Sequence, residues 1–201
     1  VWFFKPLLMP LLIGYYYYIS KVKNLKFIIA LLLCWLANIF FIIKEINYII
    51  IGSIFFLLYR AIIIYIIINF EKKTIKLPLL IGLIPFFFVY ATICFLTFEE
   101  LGSNIYLFLA HGIFIIFLGG YSLGNYIIYT TRTNLNLFLS SMLFTLTQFV
   151  FVIQLYSKYD NELHAVAILT FVIAQFLLLR YIHIKERPKP KYEFASNPNE
   201  L

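Results

Sequence analysis

The chain has 201 residues, of which 63% are hydrophobic, 20% aromatic and only 12% charged, with a mean hydropathy of +0.94 and a net charge of +7. A water-soluble domain could not bury that much apolar surface, and no soluble basic and aromatic face is available for nucleic acid. The composition is that of an all-α, polytopic transmembrane helix bundle.

A spanning helix needs about 20 mostly apolar residues to cross about 30 Å of hydrocarbon, and its backbone must bond within itself. Seven runs meet that demand. The first, Phe3 to Ser20, opens on Lys5-Pro6, and the second, Phe27 to Ile43, carries Cys34 and Asn38. The third, Asn47 to Phe70, holds Arg60 near its centre. An arginine at that depth costs roughly 2.5 to 3.5 kcal/mol on insertion scales, so it should face the bundle interior and polar partners.

The fourth run, Ile75 to Thr97, is interrupted by Pro78 and Pro85. In the fifth, Asn104 to Tyr129, the residues Asn104, Phe108, His111, Ile115, Leu118, Ser122 and Asn125 recur at steps of four and three, one face of a helix. The sixth, Leu135 to Tyr156, repeats the pattern with Ser140, Phe144, Thr147, Gln148 and Phe151. The seventh, Leu163 to Ile184, contributes Gln175. Short polar connectors leave one bundle domain, residues 1–184, and a basic, proline-containing tail, 185–201, expected to be disordered and cytoplasmic.

Lys and Arg are unevenly shared between the two sets of loops. One side has Lys21, Lys23, Lys26, Lys72, Lys73, Lys76, Arg132 and the tail; the other has only Lys5, Lys44 and Lys158. The positive-inside bias therefore predicts a cytoplasmic C-terminus and places Glu45, Glu99, Glu100, Asp160 and Glu162 outside.

No metal site or cofactor is expected. Cys34 and Cys94 lie within apolar runs, and His111, His164 and His183 lie in or beside different helices without close ligand pairs. A retinal-type protein would need a buried lysine in the last helix, where none precedes Lys185. Matched Gly/Pro-broken helices, the mark of an inverted-repeat transporter, are missing. Helix-to-helix hydrogen bonding, worth about 0.6 kcal/mol on average, is the plain reading of Asn38, Thr147, Gln148 and Gln175 taken singly. Arg60 is different, because a lipid phosphate would satisfy its fork better than carbonyls and amides.

Five segments together resemble the YhhN-like integral membrane proteins, which include the lysoplasmalogenases. They are Trp2 to Leu7, with its Lys-Pro pair; Leu33 to Asn38; Gly52, Phe56 and Arg60; Ser140 to Gln148; and Phe171 to Gln175. The resemblance implies an inner-membrane protein of eight helices in the full family pattern, with one helix before the Lys-Pro pair, and it marks Lys5, Asn38, Arg60, Thr147, Gln148 and Gln175 as candidates for the polar centre, to which the stripe of the fifth run adds His111. It also implies hydrolysis of the vinyl ether of a lysoplasmalogen to a fatty aldehyde.

That reaction needs a proton delivered to a vinyl carbon and water added to an oxocarbenium-like centre, work suited to carboxylates. Where the family pattern has two intramembrane aspartates and a histidine, this chain has Asn38, Gln148 and Arg60, while Lys5 and Gln175 are retained. Amides cannot donate the proton, so the sequence assigns no catalytic residue. Two expectations follow: a lysoplasmalogenase-type hydrolase drawing an acid from an outer loop, or a non-catalytic protein holding a lysophospholipid or other amphiphile with its phosphate on Arg60. Oligomeric state is not legible.

Overall fold

A computed structural model describes residues 4–43, 45–70, 76–101, 105–156 and 161–187. They form seven helices: α1 (Phe4–Ile19), α2 (Leu25–Phe40), α3 (Ile46–Phe70), α4 (Lys76–Leu101), α5 (Ile105–Ile128), α6 (Arg132–Tyr156) and α7 (Asn161–Glu186). Each expected run is a helix. Five of them, α3 to α7, are long and apolar enough to cross a membrane. The other two, α1 and α2, have 16 residues each, about 24 Å at 1.5 Å per residue, and are apolar over most of their length. The last helix continues two residues past the expected boundary, to Glu186, and the tail from 188 lies outside the described residues.

Six helices close a ring. Contacts run α1 to α2, α2 to α3, α3 to α5, α5 to α6, α6 to α7 and α7 back to α1, while α4 stands outside and leans on α5, with a lighter contact to α6. The sequence explains the closure locally. Asn24 caps α2, its Oδ1 accepting from the backbone N–H of Lys26 and Phe27 at 3.1 and 3.4 Å, which satisfies two of the donors that a helix N-terminus leaves open. The Asn24 N–H in turn donates to the Tyr16 hydroxyl at 2.9 Å. That hydroxyl lies 2.9 and 2.7 Å from the carboxylate oxygens of Glu186, so the end of α7 is tied to the α1–α2 turn. At the opposite pole the Trp35 indole donates to the Pro6 carbonyl at 2.8 Å, fixing α2 against the start of α1.

The seam between α4 and α5 is built on glycine. Gly82 on α4 meets Gly120, and Gly112, Gly119 and Gly124 on α5 meet Tyr90, Phe86 and the Pro78 backbone. Lipid tails are as apolar as leucine, so burial gives little drive between membrane helices, and close backbone packing through small residues replaces it. The other face of α4 presents Leu80, Ile84, Phe87, Phe88 and Phe95 to the surroundings.

A side chain at Gly124 has no room to escape, because its Cβ would lie 2.7 Å from the Pro78 carbonyl oxygen and 3.0 Å from the Leu79 nitrogen, both backbone atoms. Gly124→Ala is expected to destabilise the protein by about 1–3 kcal/mol, the usual range for overpacking. Gly14→Ala, where nothing lies within 4 Å of the added carbon, should leave stability unchanged or raise it. Thermal unfolding of both variants in detergent checks the contrast.

Candidate functional site: a polar layer inside the ring

Arg60 lies inside the ring and is 5% exposed. It reaches α5 and α6. One terminal nitrogen, Nη1, donates to His111 Nδ1 at 3.2 Å and to the His111 carbonyl at 3.4 Å; the other, Nη2, donates to Gln148 Oε1 at 3.2 Å. The guanidinium stacks over Phe56 with its carbon 4.6 Å from the ring centre, a contact that further stabilises a desolvated cation. Because a guanidinium only donates, the His111 Nδ1 accepts, and the imidazole proton sits on Nε2. The ring is also held by the Ser53 backbone of α3. Among the described residues, every group that touches the Arg60 fork is neutral.

Tyr59, the adjacent residue, starts a second network on the other side of α3. Its hydroxyl donates to Gln175 Oε1 at 3.0 Å, and Gln175 Nε2 points to Cys34 Sγ at 3.4 Å. The Asn38 amide donates to the Cys34 carbonyl at 2.8 Å and approaches its sulfur at 3.7 Å. Cys34 is 0% exposed and Gln175 1%. The candidates expected to share one centre therefore divide into two: Arg60, His111 and Gln148 on one side, and Asn38 and Gln175, joined through Cys34, on the other.

Thr147 belongs to neither. Its hydroxyl bonds the Leu143 carbonyl at 2.8 Å and lies 3.0 Å from the Thr170 hydroxyl, so it joins α6 to α7. The side chain of Lys5 is outside the described residues, as are those of Glu99, Glu100, Asp160, Glu162 and His164. The α5 stripe read from the sequence is real, with Phe108, His111, Ile115, Leu118, Ser122 and Asn125 all buried; Asn104 is outside the described residues. One further residue of the site, Tyr59, carried no signal in the sequence beyond its place in a helix, masked by aromatic abundance; Tyr90 of α4 donates to the Phe108 carbonyl of α5, one turn before His111.

Four of the five segments singled out in the sequence meet in this layer. Phe56 packs against Phe41, Tyr59, His111 and Phe171, with ring centroids 5.4 to 6.3 Å apart, and Phe41 also meets Phe151 at 5.3 Å. Gly52 leaves space for Phe41, since a Cβ there would lie 3.0 Å from that ring. Ser140 donates to the Ala174 carbonyl at 2.8 Å, between the Ser140–Gln148 and Phe171–Gln175 segments. The result is a polar layer roofed by phenylalanines. A void of about 10 Å³ adjoins Arg60, Tyr59 and Ser141, about the volume that one water needs. A larger guest has to move the aromatic roof.

Among the described residues no cluster of His, Cys, Asp or Glu could hold a metal. No carboxylate stands near Arg60 among them either: Glu45 is exposed at one pole, and Glu186 is tied to Tyr16 at the other. Residues 1–182 match the sequence profile of the YhhN family. No curated protein and no solved structure gives a significant match.

Removing the Tyr59 hydroxyl leaves the Gln175 carbonyl oxygen buried without that donor, at a cost of about 1–3 kcal/mol. Tyr59→Phe should therefore lower the melting temperature in detergent. The double variant Tyr59→Phe/Gln175→Leu should lose less than the sum of the single changes, because the orphaned oxygen is gone as well.

Proposed function

The chain belongs to the YhhN family, and on that premise we propose that it holds the phosphate head of a single-chain amphiphile, a lysophospholipid, on Arg60, without hydrolysing a vinyl ether as the lysoplasmalogenases of this family do. One observation carries this reading. Arg60 is buried, and its contacts among the described residues are an imidazole, an amide, a carbonyl and an aromatic ring, all without charge. A buried cation whose protein partners are all neutral is expensive, and an anion brought by the ligand removes the expense. A guanidinium fork takes phosphate oxygens two at a time, which suits that anion better than a carboxylate-free cavity suits acid catalysis.

Vinyl ether hydrolysis starts with protonation of carbon, and the resulting cation is stabilised by negative charge. The residues around Arg60 offer the reverse. His111 commits its Nδ1 lone pair to the guanidinium, and Asn38, Gln148 and Gln175 are amides with no proton to transfer. A cationic transition state beside Arg60 is disfavoured.

The second reading, retained hydrolysis, is favoured by the convergence of the four described motif segments on one layer, including the family's glutamine at Gln175. It needs an acid from the loops at the Glu45 pole. On the same charge argument, the pole bearing Lys21, Lys23, Lys26, Arg132 and Lys185 is cytoplasmic, and the roof of phenylalanines faces the other leaflet.

Purified protein in a glucoside detergent should bind lysophosphatidylcholine and release no fatty aldehyde from a lysoplasmalogen. Arg60→Met should weaken binding by tenfold or more, equivalent to about 1.4 kcal/mol. Asn38→Asp/Gln148→Asp, which returns acids to the polar layer, should weaken phosphate binding as well. Aldehyde release by the unmodified chain would establish the hydrolase reading, and equal binding by Arg60→Met would remove the phosphate from Arg60. A reporter fused after the last residue should be active only on the cytoplasmic side.

A further inference from the structure

The pole at which α1 ends and α2 begins is strongly basic. Among the described residues it carries Lys21, Lys23, Lys26, Arg132, Lys185 and Arg187, and its one carboxylate, Glu186, is half-buried and accepts from the Tyr16 and Ser20 hydroxyls. The positive-inside bias accounts for the number of cations here. It does not account for how two of them are held.

Both are seated on tyrosines. Lys23 Nζ lies 3.2 Å from the centre of the Tyr17 ring, and Lys26 Nζ lies 4.3 Å from the centre of the Tyr65 ring while donating to its hydroxyl at 3.0 Å. The two rings are more than half exposed, toward the ends of α1 and α3, the helices that flank α2. The lysines also stand at the wrong end of a helix. Lys26 is in the first turn of α2, Lys21 and Lys23 just precede it, and that turn has no acidic residue, although a helix N-terminus is the positive end of the dipole. Three exposed cations there, with no carboxylate against them among the described residues, leave a charge for an outside anion to balance. Past them Leu25, Ile29 and Leu32 form an exposed stripe along α2, at steps of four and three. Cations at the helix end and an apolar stripe behind them match the two parts of a phospholipid.

We propose that Lys23 and Lys26, on their Tyr17 and Tyr65 seats, bind the head group of an anionic phospholipid against the outer surface of α2. This site is separate from Arg60, which lies inside the ring. A zwitterionic head brings its own cation to the lysines, whereas an anionic head brings only the charge that they lack, so the surface selects by net charge. The tyrosine seats hold the ammonium groups before the lipid arrives, which lowers the ordering cost of binding.

Native mass spectrometry of the purified full chain with phosphatidylglycerol and phosphatidylcholine of matched acyl chains reads the preference. Phosphatidylglycerol should bind about tenfold tighter or more. Lys23→Gln/Lys26→Gln should abolish the difference, and Lys23→Arg/Lys26→Arg should keep it. Both side chains are exposed, so the fold survives either change, and equal melting temperatures of the lipid-free forms check this. Arg60→Met should leave phosphatidylglycerol binding unchanged, and inorganic phosphate at equal concentration should not displace the lipid. Equal affinity for the two lipids, a preference that survives in the glutamine form, or one that disappears in Arg60→Met would remove the lipid from this site. Displacement by inorganic phosphate would overturn the proposal in favour of a soluble anion.

Discussion

A guanidinium in the hydrocarbon slab sets the terms for the rest of this protein. Arg60 cannot be left to lipid, so α3 turns it inward and places Phe56 one turn away against it, α5 supplies His111, and α6 supplies Gln148. These contacts satisfy hydrogen bonds without cancelling charge. A protein that needed only to join three helices could do so with amides and hydroxyls, as it does through Ser122 and Ser141 or Thr147 and Thr170. On the proposed reading, the full positive charge at this depth is kept for an anion that the ligand brings.

The architecture serves that site. Six helices closed into a ring isolate the polar layer from lipid, and the turn at one pole is locked by Asn24, Tyr16 and Glu186. The seventh, α4, stays outside on a glycine seam.

Much of this was legible in the sequence because hydropathy and helical period are local properties. The seven runs, the inward stripe of α5 and the burial of Arg60 follow from them directly. The pairing of residues does not. Asn38 and Gln148 look equivalent as inward amides, yet one binds Cys34 on its own helix and the other binds Arg60 across the ring. Tyr59 and Arg60 are neighbours in sequence and part company because 100° of helical rotation sends them toward α7 and α5. The place of Tyr90 in the α4–α5 seam could not be read from its own helix, since it depends on the side chain that Gly112 lacks. Thr147 had the right period and the wrong neighbour, a hydroxyl of α7 in place of the cation.

The most direct test of the account is the thermal stability of the unmodified chain and of Arg60→Met in delipidated, nonionic detergent. If the cation is kept for an anionic guest and is a burden without it, the desolvation cost that methionine removes offsets the acceptors it leaves unpaired on His111 and Gln148, and the variant melts at the same temperature or higher. A loss of several kcal/mol, beyond the roughly 1–3 kcal/mol of an orphaned acceptor, would mean that the protein itself compensates Arg60, and the account of a waiting cation would be contradicted.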